Sequence, residues 1–224
     1  MEEELRRLLT QWGAVDVGFA QVEDGPGGFG WAVSAVVKLS DGVVDEIQGA
    51  PTHSYFHHYR TVNFAIDQMI LQAGMLLERR GYRYLPVAAS QSINLDGNSP
   101  FQGRYSHKKA ACLAGLGTIG RSGLFLHRQF GPRVRLGTLF TDCPFPSAPA
   151  PALPPDRCGG CRRCLEACPA GAILEGPVSA AAPRIDPASC STHMKTAYQK
   201  IGRGAVCGVC MAVCPYGKKE AKTS

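Results

Sequence analysis

The segment "CGGCRRCLEACP" places Cys158, Cys161, Cys164 and Cys168 at the spacing C-x2-C-x2-C-x3-C, closed by Pro169. Thiolates spaced in this way wrap three corners of a four-iron, four-sulfide cube, while the cysteine before the proline is turned toward a second cluster. A second run, "CGVCMAVCP", carries Cys207, Cys210, Cys214 and Pro215 and is one cysteine short of the same repeat. Cys190, 17 residues before Cys207, is the replacement the sequence offers. Exchange of the last cysteine of each run then assigns Cys158, Cys161, Cys164 and Cys214 to one 4Fe-4S cluster. Cys190, Cys207, Cys210 and Cys168 are left for the other. The chemistry of such a pair is single-electron transfer. Two zinc sites could also take four cysteines each, but the x3-C-P endings favour iron–sulfur clusters. Of the ten cysteines, Cys112 in "AACLA" reads as a small buried hydrophobe, and Cys143 borders a proline-rich stretch without an evident role.

Two other constellations could do chemistry. Gly115, Gly117 and Gly120 in "LAGLGTIGRSG" stand at the spacing G-x-G-x-x-G of a dinucleotide pyrophosphate loop. That loop requires a strand before the glycines and a helix after them, so that the helix N-terminus faces the phosphates. The preceding "SHKKAACLA" is helical rather than strand-like, although Asp142, 22 residues beyond Gly120, stands where an acidic residue binds ribose in such folds. His53 and His57 in "HSYFHHY" lie one helical turn apart, a spacing able to hold a metal and equally that of a polar helix face.

The surrounding chain reads as a mixed α/β domain. A short helix from Glu2 to Trp12 precedes the strands "AVDVGFAQV" and "WAVSAVVKLS", separated by the turn "EDGPGGFG". After Pro51 and a cap at Thr52, the apolar residues Val62, Ala65, Ile66, Met69, Ile70, Ala73 and Leu77 recur at helical spacing until Gly81. "YRYLPVAAS" and "VRLGTLFTD" read as strands and "HKKAACLAG" as a helix. Six prolines between Pro144 and Pro155 mark a linker. The expected division is residues 1–143 as a cofactor and substrate domain, 144–155 as linker, and 156–224 as a ferredoxin-like domain. The last 69 residues are few for an apolar core and call for metal clusters as staples.

With 224 residues, 45% of them hydrophobic, the chain is expected to be globular. No apolar run reaches the roughly 18 residues of a membrane span, and "MEEELRRLLTQW" is acidic where a signal peptide is basic, so a cytoplasmic location is expected. The formal charge of +6 falls to about +2 once eight thiolates hold two cores of about +2 each, so nucleic-acid binding is not expected.

Beyond these features, "SHKKAACLAGLGTIGRSGLFLHRQFGPRVRLGTLFTD" followed by the two-cluster cysteine pattern resembles the catalytic module shared by epoxyqueuosine reductases and reductive dehalogenases. The likeness rests on "AGLG", "IGR", "GPRVR" and "LFTD", runs roughly from Thr52 to Pro215, and is strongest to short members with "SHK" and an "LPVAAS"-like strand. The resemblance implies a nitroreductase-like, cobalamin-processing-like N-terminal domain and a bacterial-ferredoxin-like domain with two 4Fe-4S clusters. Cobalamin is the cofactor it implies for the first, with Ser106, His107, Gly115, Gly117, Gly120 and Arg121 in its wall. It also implies a proton donor before the glycine turn, for which Tyr105, His107 and Asp96 are the candidates; a phenol such as Tyr105 can donate while neutral. The implied partners are an electron donor such as a ferredoxin or flavodoxin and a small-molecule substrate or corrinoid. The segment resembling a tRNA-binding part and the export signal of respiratory dehalogenases are not seen, which argues against tRNA and haloorganic respiration. The expected activity is that of an iron–sulfur reductase; a non-catalytic electron carrier or corrinoid-handling protein is the alternative.

Overall fold

The sequence's helix and strand signals recur in a computed structural model that describes residues 1–93, 101–150, 157–176, 185–202 and 205–217. Helix α1, Glu2–Gln11, starts with Glu2, Glu3 and Glu4, whose charges suit the positive end of the helix dipole, and buries Leu5 and Leu9. Strands β1, Asp16–Gln21, and β2, Trp31–Lys38, pair antiparallel with Phe19 opposite Val33. The short α2, Asp41–Asp45, follows. Helix α3, His53–Arg79, begins where the Thr52 hydroxyl accepts from the Tyr55 amide at 3.1 Å, an N-cap bond that satisfies one orphan donor. Its buried stripe is Val62, Ile66, Met69, Ile70, Ala73 and Leu77. Ala65, expected in that stripe, is exposed, because it lies one residue off the face that meets the sheet.

Strand β3, Tyr84–Val87, contains Pro86 and occupies the edge of a four-stranded sheet of order β1-β2-β6-β3, the position a residue without an N–H tolerates. Helix α4, His107–Leu113, leads into a two-stranded sheet of β4, Gly117–Ile119, and β5, Phe125–His127. Strand β6, Val134–Thr141, pairs antiparallel with β3. Among the described residues the cysteine-rich part carries the helices α5, Arg163–Glu166, α6, Pro187–Ala197, and α7, Val209–Ala212. Asp186 caps α6 by accepting from the Ala188 and Ser189 amides, with Pro187 at the first helical position.

The chain gathers into two compact units. One is Met1–Lys38, Tyr59–Gly117 and Arg135–Pro154, built on the four-stranded sheet; the other is Leu39–His58, Thr118–Val134 and Pro155–Ser224. Residues 39–58 and 118–134, which lie before the proline-rich stretch, are grouped here with the cysteine-rich residues. Within the second unit Arg133, 2% exposed, pairs with Asp41 at 3.1 Å and Asp45 at 2.6 Å, and its carbonyl accepts from the Leu39 amide, which ties residues 39–45 to residue 133. The Tyr216 hydroxyl, in turn, donates to the Arg157 carbonyl.

Candidate metal centre

The seven cysteines of the two runs, presented by loops and single helical turns, and Cys190 on α6 are all thiols of intermediate exposure. The Cys161 amide closes on the Cys158 carbonyl at 2.9 Å, which folds the first loop back on itself before α5 carries Cys164. Two amides donate to sulfur: Arg121 N to Cys158 Sγ at 3.3 Å and Ala172 N to Cys168 Sγ at 3.4 Å. Such N–H···S bonds favour the ionised thiolate.

Burial, and after it neighbouring thiols, raise the pKa of Cys190, Cys207, Cys210 and Cys214. Burial first, then Cys158, Cys164 and Cys161, push Cys214 up to about 11. Burial first, then Cys207, Cys164, Cys190 and Cys168, push Cys210 up to about 12. Cys190 is raised by burial and Cys168, and Cys207 by burial with smaller contributions from Cys190 and Cys168. Half-buried thiols that oppose each other's ionisation are the electrostatic situation a cationic iron core reverses, so this donor set fits 4Fe-4S clusters. A further fit is His193, one helical turn beyond Cys190, whose Nε2 is buried with no hydrogen-bond partner among the described residues.

Gly120 and Arg121 belong to this centre. Arg121 is 8% exposed, and its guanidinium donates to the carbonyls of Cys161 at 3.1 Å, Gly176 at 3.1 Å and Gly159 at 3.2 Å. A Cβ on Gly120 would lie 3.2 Å from Cys158 Sγ and 2.7 Å from Leu126 Cδ1, so this position has no room for a side chain. Both residues are expected in a corrin wall from the sequence resemblance. Nothing in the sequence announces the arginine clamp, whose acceptors are all backbone carbonyls.

Gly115 and Gly117 do not form a dinucleotide loop. Gly115 has φ +72°, its amide bonds to the Cys112 carbonyl, and the Leu116 amide reaches Ala111, the pattern that terminates a helix. Helix therefore precedes the glycines and strand β4 starts at Gly117, the reverse of the order a pyrophosphate loop needs. Asp142 accepts from the Arg83 amide and Nε, both at 2.8 Å.

The other candidate residues are also committed. Ser106 caps α4, its hydroxyl accepting from the Lys109 amide at 3.2 Å. Tyr105 donates its hydroxyl proton to Asp24 at 2.8 Å and packs edge-on against Phe140; burial first, and then Asp24, raise its pKa. His107 holds Thr138 through Nδ1 at 2.8 Å and the Ala88 carbonyl through Nε2 at 2.9 Å, which makes Nε2 the donor in the neutral ring; burial lowers its pKa. Tyr105, Ser106, His107, Gly115, Gly120 and Arg121 are thus each tied into the protein's own framework. Asp96 lies outside the described residues. His53 and His57 are exposed on α3, and among the described residues no three His, Cys, Asp or Glu are grouped to hold a single metal ion.

Two further features of the sheet-bearing unit have no signature in the sequence. Arg135 lies 4.4 Å from the centre of the Tyr59 ring and bonds Asn63 at 2.8 Å. A cleft of about 330 Å³ is lined by Asp67, Ile70, Val87, Ala88, Ile93 and Arg104, among others. Among the described residues no helix is long and apolar enough to cross a membrane.

Residues 157–217 match the 4Fe-4S double cluster binding domain. Over 111 residues the chain is 38% identical to the tetrachloroethene reductive dehalogenase of Sulfurospirillum multivorans, a match over 47% of this chain and 22% of that protein. Over 125 residues it is 34% identical to the epoxyqueuosine reductase of Pseudomonas aeruginosa, covering 50% and 31%. The matches thus span less than a third of these curated relatives' length. Among solved structures, the catabolic reductive dehalogenase NpRdhA superimposes with a TM-score of 0.73 at 21% identity, over 97% of this chain and 32% of that one. An epoxyqueuosine reductase bound to a tRNA-Tyr stem loop gives 0.63 at 18% identity, over 96% and 65%. The chain is thus similar, over about half of its length in sequence and over nearly all of it in fold, to epoxyqueuosine reductases and reductive dehalogenases, and its residues 157–217 match a 4Fe-4S double cluster binding domain.

Proposed function

We propose that this chain is an iron–sulfur reductase whose eight cysteines would hold two 4Fe-4S clusters, which would supply the one-electron chemistry between a carrier such as a ferredoxin or flavodoxin and a small acceptor bound by the sheet-bearing unit. The observation that carries this reading is the set of eight half-exposed cysteines in a segment that matches a 4Fe-4S double cluster binding domain, with backbone amides donating to Cys158 Sγ at 3.3 Å and Cys168 Sγ at 3.4 Å. When bound, the clusters supply one-electron redox steps. The chain's own residues hold them: loop amides donate to sulfur, and Arg121 fixes the first cysteine loop. A cytoplasmic location, where thiols stay reduced, suits such ligands.

The acceptor site best supported is the cleft at Asp67, Val87, Ala88 and Arg104, which combines an apolar floor with both charges. One reductive dehalogenase among the structural neighbours carries out B12-dependent dehalogenation, and cobalamin is the acceptor that kinship suggests. Iron and sulfide assays of anaerobically purified protein test the proposal: eight of each per chain are expected, and zinc without sulfide refutes it. Titration with cobalamin, followed in the visible spectrum, tests the acceptor. A base-off shift supports corrinoid chemistry, and an unchanged spectrum removes it.

A second reading, that of a non-catalytic electron carrier, is favoured by one observation. Tyr105 and His107 have their polar atoms bonded inside the protein, so neither presents a free proton. Turnover of a halogenated or epoxide substrate by the reduced protein would exclude it.

A further inference from the structure

We propose that the Arg121 guanidinium is the standing counter-charge of the cluster held by Cys158, Cys161, Cys164 and Cys214, and that it raises the reduction potential of this cluster but not of the other. The inference rests on the two-cluster reading above and goes beyond it.

Among the described residues, every hydrogen bond made by this guanidinium goes to a neutral acceptor. Nε bonds Cys161 O, Nη1 bonds Gly176 O and Nη2 bonds Gly159 O, so no carboxylate among these partners cancels its charge. The acid within reach of its field, Glu175, is exposed and already paired with Arg162. A nearly buried cation without a bonded acid is costly, and a neighbouring anion offsets that cost. Four thiolates around a core of about +2 form such an anion, and each added electron makes it more negative. The guanidinium therefore stabilises the reduced state more than the oxidised one. Its acceptors Cys161 O and Gly159 O belong to the first cysteine loop, which places the charge beside this ligand set.

The geometry also separates two contributions. The N–H···S bond to Cys158 comes from the Arg121 backbone amide and survives any substitution at this position, so a side-chain change reads the charge and the carbonyl bonds alone. Arg121 thus acts as a positioning and tuning residue through the cluster.

The experiment is an anaerobic redox titration followed by electron paramagnetic resonance on the wild type, Arg121→Gln and Arg121→Lys, with iron and sulfide counted in each. In Arg121→Gln, one of the two clusters should become harder to reduce by at least about tenfold in its equilibrium constant, a shift of about 59 mV for one electron. The other should not move, and Arg121→Lys should recover most of the loss. The shifted signal should be the one that survives in Cys190→Ser. Two unmoved potentials in Arg121→Gln would overturn the proposal, as would a Lys variant that falls as far as the Gln variant. If Arg121→Gln retains only four irons, Arg121→Lys decides alone: a potential near wild type supports the counter-charge, and a tenfold fall refutes it. Wild-type protein with fewer than eight irons and sulfides would instead remove the two-cluster reading, and this inference with it.

Discussion

Gly120→Ala tests whether the turn after β4 is part of the cluster site. The added Cβ would meet Leu126 Cδ1 at 2.7 Å, Leu126 Cγ at 3.1 Å and Cys158 Sγ at 3.2 Å. Leu126 is 2% exposed and has little room to swing, so the strain is shared with the cysteine. Over-packing of this kind costs about 1–3 kcal/mol. If that cost falls on the loaded state, retention of the cluster weakens by about 5- to 150-fold. The assay is the rate at which an iron chelator bleaches the anaerobic protein, with residual iron counted at the plateau. Two loop glycines calibrate it. Gly160, between Cys158 and Cys161, has open space at its Cβ, so Gly160→Ala should match the wild type. Gly159 has φ +48°, where an alanine pays a backbone cost of about 1–2 kcal/mol, so Gly159→Ala should fall between. Gly120→Ala with a wild-type bleaching rate, or Gly160→Ala bleaching faster than Gly120→Ala, would refute the reasoning.

Cys190→Ser should leave close to four irons per chain and one reducible cluster, because Cys190 belongs to one ligand set; equal survival of both clusters would show the sets to be wrong. Chelation of all iron should expose the amides of residues 157–217 together with those of 118–134, which share a compact unit, while β1, β2 and β6 stay protected in hydrogen exchange. Retained protection in 118–134 would show that this segment does not depend on the clusters. His107 is held neutral by burial, its pKa lowered from the ordinary value of about 6.5. The unfolded ring therefore binds a proton that the folded ring does not. This contribution is fully present above about pH 6.5 and is lost as pH falls toward the folded value. Denaturant unfolding of His107→Gln at pH 7 and pH 5 should show a flatter pH dependence than the wild type, and an equal slope would contradict the burial argument.

Local rules carried a good part of the fold. Helix α3 runs from a threonine cap to a glycine stop, both legible as residue types at fixed offsets, because caps are satisfied within one turn of chain. The strand with Pro86 sits at the sheet edge for a reason that needs only its missing N–H. The cysteine runs were equally legible, since cluster ligation constrains spacing along the chain more tightly than almost any other chemistry. The glycine triplet was ambiguous for the complementary reason. Its spacing is shared by two turns of opposite polarity, and only the order of helix before strand distinguishes them. What tertiary structure alone decided is where residues 39–58 and 118–134 belong and what Arg121 does. Arg121 bonds carbonyls up to 55 residues away, and carbonyl acceptors exist at every position, so no side-chain pattern could announce the partners. A clamp built from backbone atoms is visible only after the chain has folded around it.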